Sequence, residues 1–137
     1  MKVLVDTSVW SLVLRRAKRV DETTTGELRE LVQEGRVLML GAIRQELLSG
    51  IKARTHYELL RDHLRAFPDI TPDVEDYEEA ADAFNLCREK GIQGSNTDFL
   101  ICAVAQRRDA SIYTVDGDFQ HFAKVLPLAL HTPPPRG

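Results

Sequence analysis

Residues 1–10, MKVLVDTSVW, decide the fold. Met1 to Val5 is a short apolar run rich in β-branched residues, the pattern of a buried strand, and it stops at Asp6-Thr7-Ser8 before a second apolar stretch begins. Lys2–Val5 therefore predicts a first strand and Ser8–Arg16 a helix, with a carboxylate at the carboxyl end of the strand. A charge at the edge of a core calls for a partner or a task.

The same alternation continues outward. Helix is predicted for Glu22–Glu34, with Leu28, Leu31 and Val32 on one face, then a strand for Val37–Leu40 and helix for Ala42–Gly50. Thr55–Arg65 places Leu59, Leu60 and Leu64 at helical spacing, Phe67–Ile70 reads as a short strand, and Asp73 opens a long helix to about Lys90. That helix directs Val74, Tyr77, Ala80, Ala81, Phe84 and Cys87 to the core. Thr97–Arg108 is a buried helix, since Phe99–Ala105 is continuously apolar and carries two alanines; Ser111–Val115 and Val125–Leu130 are strands. Strands alternating with helices predict a three-layer α/β/α sandwich around a mainly parallel sheet. The 137 residues suit one domain, 1–137, with 131–137 as a flexible proline-rich tail.

Composition narrows the function. A hydrophobic fraction of 43% with 28% charged residues is that of a soluble globular chain. No apolar run approaches the roughly 18 residues of a membrane span, and no signal-peptide pattern opens the chain, so a cytoplasmic protein is expected. Cys87 and Cys102 lack metal-ligand spacing and read as small core residues. His56, His63, His121 and His131 share no spacing that suggests a dyad or a ligand set.

Four acids stand where ligands gather in a parallel sheet, outside the carboxyl ends of the strands. Asp6 follows the first strand; Glu46 lies in "GAIRQELLSG" after the second; Asp98 stands in "GSNTDFLICAVA" at the mouth of the buried helix; Asp116, with Asp118 close by, sits in "YTVDGDF" after a strand. Each also has a purely structural reading. Asp6 is a good N-cap, Ser95 with Asp98 fits a capping box, and Asp-Gly is a turn. Gathered at one sheet edge, however, four carboxylates repel one another, and Arg44 is the only basic residue inside the four motifs. A divalent cation with all-oxygen ligands, Mg²⁺ or Mn²⁺, is the natural counter-charge, and in-line phosphodiester hydrolysis is the chemistry it supports. Thr7, Ser8, Asn96, Thr97 and Thr114 are placed either to orient those carboxylates or to cap the elements around them.

Together, "VLVDTSVW", "RQELLSG", "NTDFLICAVA" and "YTVDGDF" resemble, in order and over essentially the whole chain, the PIN-domain ribonucleases, and within them the VapC toxins of toxin–antitoxin pairs. The resemblance implies a Mg²⁺-dependent endoribonuclease that cleaves RNA and inhibits translation. It also implies a homodimer held inactive by a cognate antitoxin. The family's acidic quartet falls on Asp6, Glu46, Asp98 and Asp116, with Asp118 an alternative fourth acid. The apolar face of Thr55–Arg65 and the helix from Ala42 are the surfaces to examine for a partner.

A net charge of −3 argues against a nucleic-acid binder, but with the four acids set aside the remainder of the chain carries +1. Arg15, Arg16, Lys18, Arg19, Lys52 and Arg54 then become candidate RNA contacts, with a solvated surface the competing reading. A haloacid-dehalogenase-like phosphatase would need a second acid two residues after Asp6, where Ser8 stands. A receiver-like module would need its aspartate after a middle strand, where Gly41 and Ala42 stand. A PIN module that binds RNA or a partner without cutting is the remaining alternative.

Overall fold

A computed structural model describes residues 1–14 and 22–134. The first strand, β1, is Val3–Val5, fully buried, and Asp6 ends it. Helices α1 (Thr7–Leu14) and α2 (Glu22–Gln33) lead to β2 (Val37–Leu40); α3 (Gly41–Leu48) and α4 (Arg54–Leu64) lead to β3 (Asp69–Ile70). Then α5 (Val74–Glu89) and α6 (Asn96–Arg107) lead to β4 (Ser111–Tyr113), and a short α7 (Asp118–Phe122) follows.

The sheet is parallel throughout the described residues, in the order β3-β2-β1-β4. The chain steps outward from β1 to β2 and β3, then returns past β1 to place β4 on its other side. With right-handed crossovers this reversal puts α1 to α4 on one face of the sheet and α5 and α6 on the other, the expected three layers. The reversal point lies between β1 and β4, whose carboxyl ends carry Asp6 and the Thr114–Asp116 segment, and a doubly wound sheet opens its crevice at such a point.

Helix α6 runs through the core: Phe99 to Ala105 are all buried, and only its two ends reach solvent. Its entry is pinned. The loop before it passes so close to the aromatic cluster that a Cβ on Gly94 would fall 2.5 Å from the Phe122 ring, which in turn packs on Phe99 at 4.8 Å between centroids. No larger residue fits there without shifting the ring, so Gly94 helps fix where Asp98 emerges.

Several local expectations are corrected. The stripe that α5 buries is Asp76, Ala80, Ala83 and Cys87, whereas Val74 and Tyr77, expected inside, are 73% and 55% exposed. A buried ion pair turned the helix: Asp76 meets Arg107, the last residue of α6, and Arg108, which caps it, and the small residues beside Asp76 let the two helices approach. Val32 and Leu59 likewise face outward, because α2 buries Thr24, Glu27, Leu28 and Leu31 while α4 buries Leu60 and Leu64. Val125–Leu130 makes a single parallel bridge, Ile112 to Leu130, in place of a strand; Pro127 has no N–H to give a ladder.

The proposed tail boundary at 131 also moves. The His131 amide donates to the Ile112 carbonyl at 2.7 Å, and the His131 ring meets the buried carboxylate of Glu27 at 2.6 Å, so the chain remains part of the fold through His131. No helix among the described residues is long and apolar enough to cross a membrane.

Candidate active site

Asp6 is 5% exposed, and three donors converge on one of its oxygens. Oδ2 accepts from the Ser8 hydroxyl at 2.7 Å, the Thr114 hydroxyl at 2.9 Å and the Ser8 amide at 3.3 Å. The Asp6 carbonyl accepts from the Val9 amide, so the residue also starts α1, as its reading as an N-cap expects. Oδ1 receives no donor from the described residues. A buried carboxylate with one oxygen tied down and the other free is oriented for a ligand.

Thr114 and Ser8 stitch β4 to β1 at the crevice. Thr114 Oγ1 also accepts from the Asp116 amide at 3.0 Å, and Ser8 Oγ accepts from the Val115 amide at 3.1 Å. Asp116 is thereby held to the same polar knot as Asp6. Its Oδ1 accepts from the Asp118 amide at 2.9 Å, so Asp118 supports Asp116 through its backbone, while its own side chain is exposed. On the other side, the Thr7 hydroxyl donates to Glu46 Oε1 at 2.7 Å, which links α3 to the first turn of α1. Glu46 is otherwise exposed.

Asp98 is the N3 residue of α6. Its Oδ2 accepts from the Ser95 amide and its own amide donates to Ser95 Oγ, both at 3.0 Å. Burial pushes the Asp98 carboxyl above the ordinary range against these hydrogen bonds, and the negative charges of Asp6 and Asp116 push it the same way. Three of the four predicted acids therefore feel one another. Behind them, burial and then the charge of Asp98 push the Cys102 thiol far up, which makes it an inert core residue, as is Cys87.

No described cation neutralises the group. Arg44, inside the Glu46 motif, donates instead to Asp69 at 2.7 Å and to the Phe67 carbonyl. Among the described residues no three of His, Cys, Asp and Glu close into a cage for a metal ion. The donor set is nonetheless all-oxygen and partly buried, and among the described residues it has no counter-charge and an Asp6 oxygen that receives no donor. That suits a hard cation that keeps several of its waters, as Mg²⁺ does, better than one that needs a complete protein cage.

The remaining candidates divide. Asn96 and Thr97 make no hydrogen bond to the acids among the described residues; they line a cavity of about 350 Å³ between α5 and α6 with Tyr77, Ala80, Ala81 and Leu100. Lys52 is exposed beside α4, whereas Arg54 is paired with Glu58 at 3.0 Å and stacked 4.8 Å over Tyr57. Arg15, Arg16, Lys18 and Arg19 lie outside the described residues. Sequence reasoning missed a second cavity, of about 190 Å³, that opens beside Asp116 and is lined by Gln120 of α7 and by Leu130, His131 and Thr132. The short α7 was hidden behind the Asp-Gly turn signal.

A family model described as PIN domain matches residues 3–125. VapC ribonuclease Mb1587 of Mycobacterium bovis and ribonuclease VapC11 of Mycobacterium tuberculosis are each 30% identical over 130 residues, covering 92% of this chain and 95% of theirs. Among solved structures, FitAcB from Neisseria gonorrhoeae superposes with a TM-score of 0.76 at 20% identity, over 96% of this chain and 97% of that one. VapBC2 from Rickettsia felis, bound to a DNA fragment from its promoter, gives 0.76 at 17% identity, over 96% and 98%. VapBC-1 from nontypeable Haemophilus influenzae gives 0.73 at 14% identity, over 96% and 97%.

Proposed function

The chain belongs to the PIN-domain family, and from that premise we propose that it is a metal-dependent endoribonuclease, the toxin of a toxin–antitoxin pair whose cleavage of RNA inhibits translation. The observation that carries the reading is geometric: Ser8 and Thr114 tie Asp6 and Asp116 into one polar knot at the carboxyl ends of β1 and β4, and Asp6 Oδ1 is left without a donor among the described residues. The names of the VapC ribonucleases that share 30% of its residues support the reaction class.

Asp6, Asp98, Glu46 and Asp116 would hold Mg²⁺, with Mn²⁺ as a substitute. When bound, such an ion lowers the pKa of its water and stabilises the charge of an in-line phosphoryl displacement. The chain's own part is orientation. Ser8 and Thr114 hold Asp6 Oδ2 and leave Oδ1 without a donor among the described residues; Thr7 holds Glu46; Ser95 fixes Asp98; and the Asp118 amide fixes Asp116. RNA would reach this edge with help from Lys52, Arg54 and the Arg15–Arg19 segment, in a salt-dependent manner. A cognate antitoxin is the expected inhibitor, supported by the VapBC and FitA-type complexes that share the fold. A homodimer acting in the cytoplasm completes the proposal.

The test is cleavage of total cellular RNA by the purified chain, freed of any antitoxin, and by Asp6→Asn and Asp98→Asn, each with Mg²⁺, Mn²⁺ or EDTA. Discrete fragments from the wild type alone, lost in EDTA, are the expected result. Equal fragments from all three proteins would assign the activity to a contaminant, and no fragments at all would favour a PIN module that binds without cutting.

A further inference from the structure

The cavity beside Asp116 has features that the acidic quartet does not use. One wall is the β4–α7 connection, with Thr114, Val115, Gly117 and Gln120; the other is the segment Leu130–Thr132. That second wall is fixed on both sides of Ile112, whose amide donates to the Ala129 carbonyl at 2.8 Å and whose carbonyl accepts from the His131 amide at 2.7 Å. The His131 ring is locked in turn, by Glu27 at 2.6 Å and by an edge-on contact with Tyr113 at 5.3 Å between centroids. The walls are thus formed before any ligand arrives, which lowers the ordering cost of binding.

The chemistry of the lining selects a class of ligand. Gln120 is exposed, its amide group makes no hydrogen bond to the described residues, and it offers one donor face and one acceptor. Val115 is 50% exposed at the rim and Leu130 adds a second apolar surface. Nothing stands within 4 Å of where a Gly117 Cβ would be, so the mouth is open. Among the described residues no lysine or arginine lines the cavity, and the one carboxylate there, Asp116, belongs to the acid cluster. A phosphate would be repelled; a flat, uncharged ring with hydrogen-bonding edges would fit. The volume of about 190 Å³ falls below the roughly 300–1,000 Å³ of sites for whole drug-sized ligands and suits a single ring system.

We propose that this cavity seats one base of the RNA, next to the phosphodiester that is cut, and that Gln120 reads its edge. The identity of the ligand rests on the ribonuclease reading above, because the cavity shares Asp116 with the acid cluster. A glutamine amide matches the N6 donor and N7 acceptor of adenine, and unpaired RNA bases expose that edge. Gln120 is therefore a specificity-determining residue, and adenine the base it favours.

The experiment titrates adenosine, guanosine, cytidine and uridine into the full chain and into Gln120→Ala, following backbone amide resonances by NMR. Nucleosides carry no phosphate, so the carboxylates do not repel the probe. The expected result is saturable shifts at Thr114–Gln120 and Leu130–Thr132, adenosine binding about 10-fold more tightly than uridine, and loss of that preference in Gln120→Ala. Unmoved resonances, or equal responses in the two proteins, would overturn the base site. Cleavage of RNA by the same samples keeps the two ideas apart. Cutting without nucleoside binding removes the subsite and leaves the ribonuclease, whereas Gln120-dependent adenosine binding without cutting keeps the site and removes the ribonuclease.

Discussion

Helices α5 and α6 begin in the same way. An N-cap side chain, Asp73 or Ser95, accepts from the amide three residues on, and an acid there, Asp76 or Asp98, accepts from the N-cap amide in return. The surroundings of the two acids differ. Asp76 is fully buried and receives Arg107 at 2.7 Å and both amino groups of Arg108 at 2.9 Å. Arg108 first, with the Asp73 amide and Arg107 adding to it, holds the Asp76 carboxyl far below the ordinary range against the opposing effect of burial. Asp98 has no such partner among the described residues, and its carboxyl is pushed up. A capping box is thus no guide to purpose by itself. Where the chain supplies the counter-charge, as at Asp76, the acid is a clamp; where no described residue does, as at Asp98, the proposed function makes the acid a ligand awaiting its cation.

The comparison is broken most strongly at the second acid. Asp98→Asn keeps an acceptor for the Ser95 amide, so α6 stays capped, yet it should lower RNA cleavage on the order of 1,000-fold, beyond the 10–100-fold that loss of an outer supporting group costs. Asp76→Asn should leave the turnover of folded protein unchanged. Rates measured for both variants at low temperature, where each is folded, check the pair; a comparable loss in Asp76→Asn would mean that the clamp also sets the geometry of the acids.

Stability should show the reverse. Asp76→Ala removes the returning half of a capping box and leaves two arginines without their buried partner, a loss of about 3 kcal/mol and of roughly 10 °C in melting temperature. Thermal unfolding reads it directly. The low carboxyl value gives the sign with pH. A folded-state value depressed below the unfolded one contributes stability that is fully present above the unfolded carboxylate value, near 3.9, and is lost progressively as pH falls from there through the depressed value. The clamp therefore survives mild acid.

Glu27 extends the comparison to a third buried acid, whose partner comes from the far end of the chain. Its ring partner His131 stands 104 positions away and is 13% exposed at the side chain. Ending the chain after Leu130, or His131→Ala, should cost about 2 kcal/mol in urea unfolding. An unchanged midpoint would return His131 to a dispensable tail.

What could be seen in the sequence follows from the range of the forces involved. Strand β2 was legible to the residue and β1, α6 and β4 nearly so, because period and apolar run length are local signals. The placement of Asp6 and Asp116 just beyond β1 and β4 was legible too, since strand ends mark a parallel sheet's crevice. The face of α5 was not. Val74 and Tyr77 carry the hydrophobic pattern, but the pairing of Asp76 with arginines 31 and 32 residues later decides which side is buried. The anchoring of His131 by Glu27 and the cavity it walls are likewise long-range products, invisible before the two chain ends meet.

The smallest effect separates the two capping boxes by sign. In the metal-free protein an ionised Asp98 is a liability, because its folded-state value lies above the unfolded one. The penalty is complete at pH above the raised value and fades as pH falls through it, the opposite of Asp76. Asp98→Asn should therefore raise the stability of the protein in EDTA at neutral pH, by on the order of 1 kcal/mol, as removal of an uncompensated active-site group commonly does. The gain should shrink in mild acid and turn into a loss when Mg²⁺ is added, since the ion stabilises only the form that binds it. Chemical denaturation of wild type and Asp98→Asn with and without Mg²⁺, at neutral and mildly acidic pH, measures all of these signs together. A variant that is less stable than wild type in EDTA would mean that Asp98 already has its counter-charge within the chain, and the distinction between clamp and waiting ligand would fall.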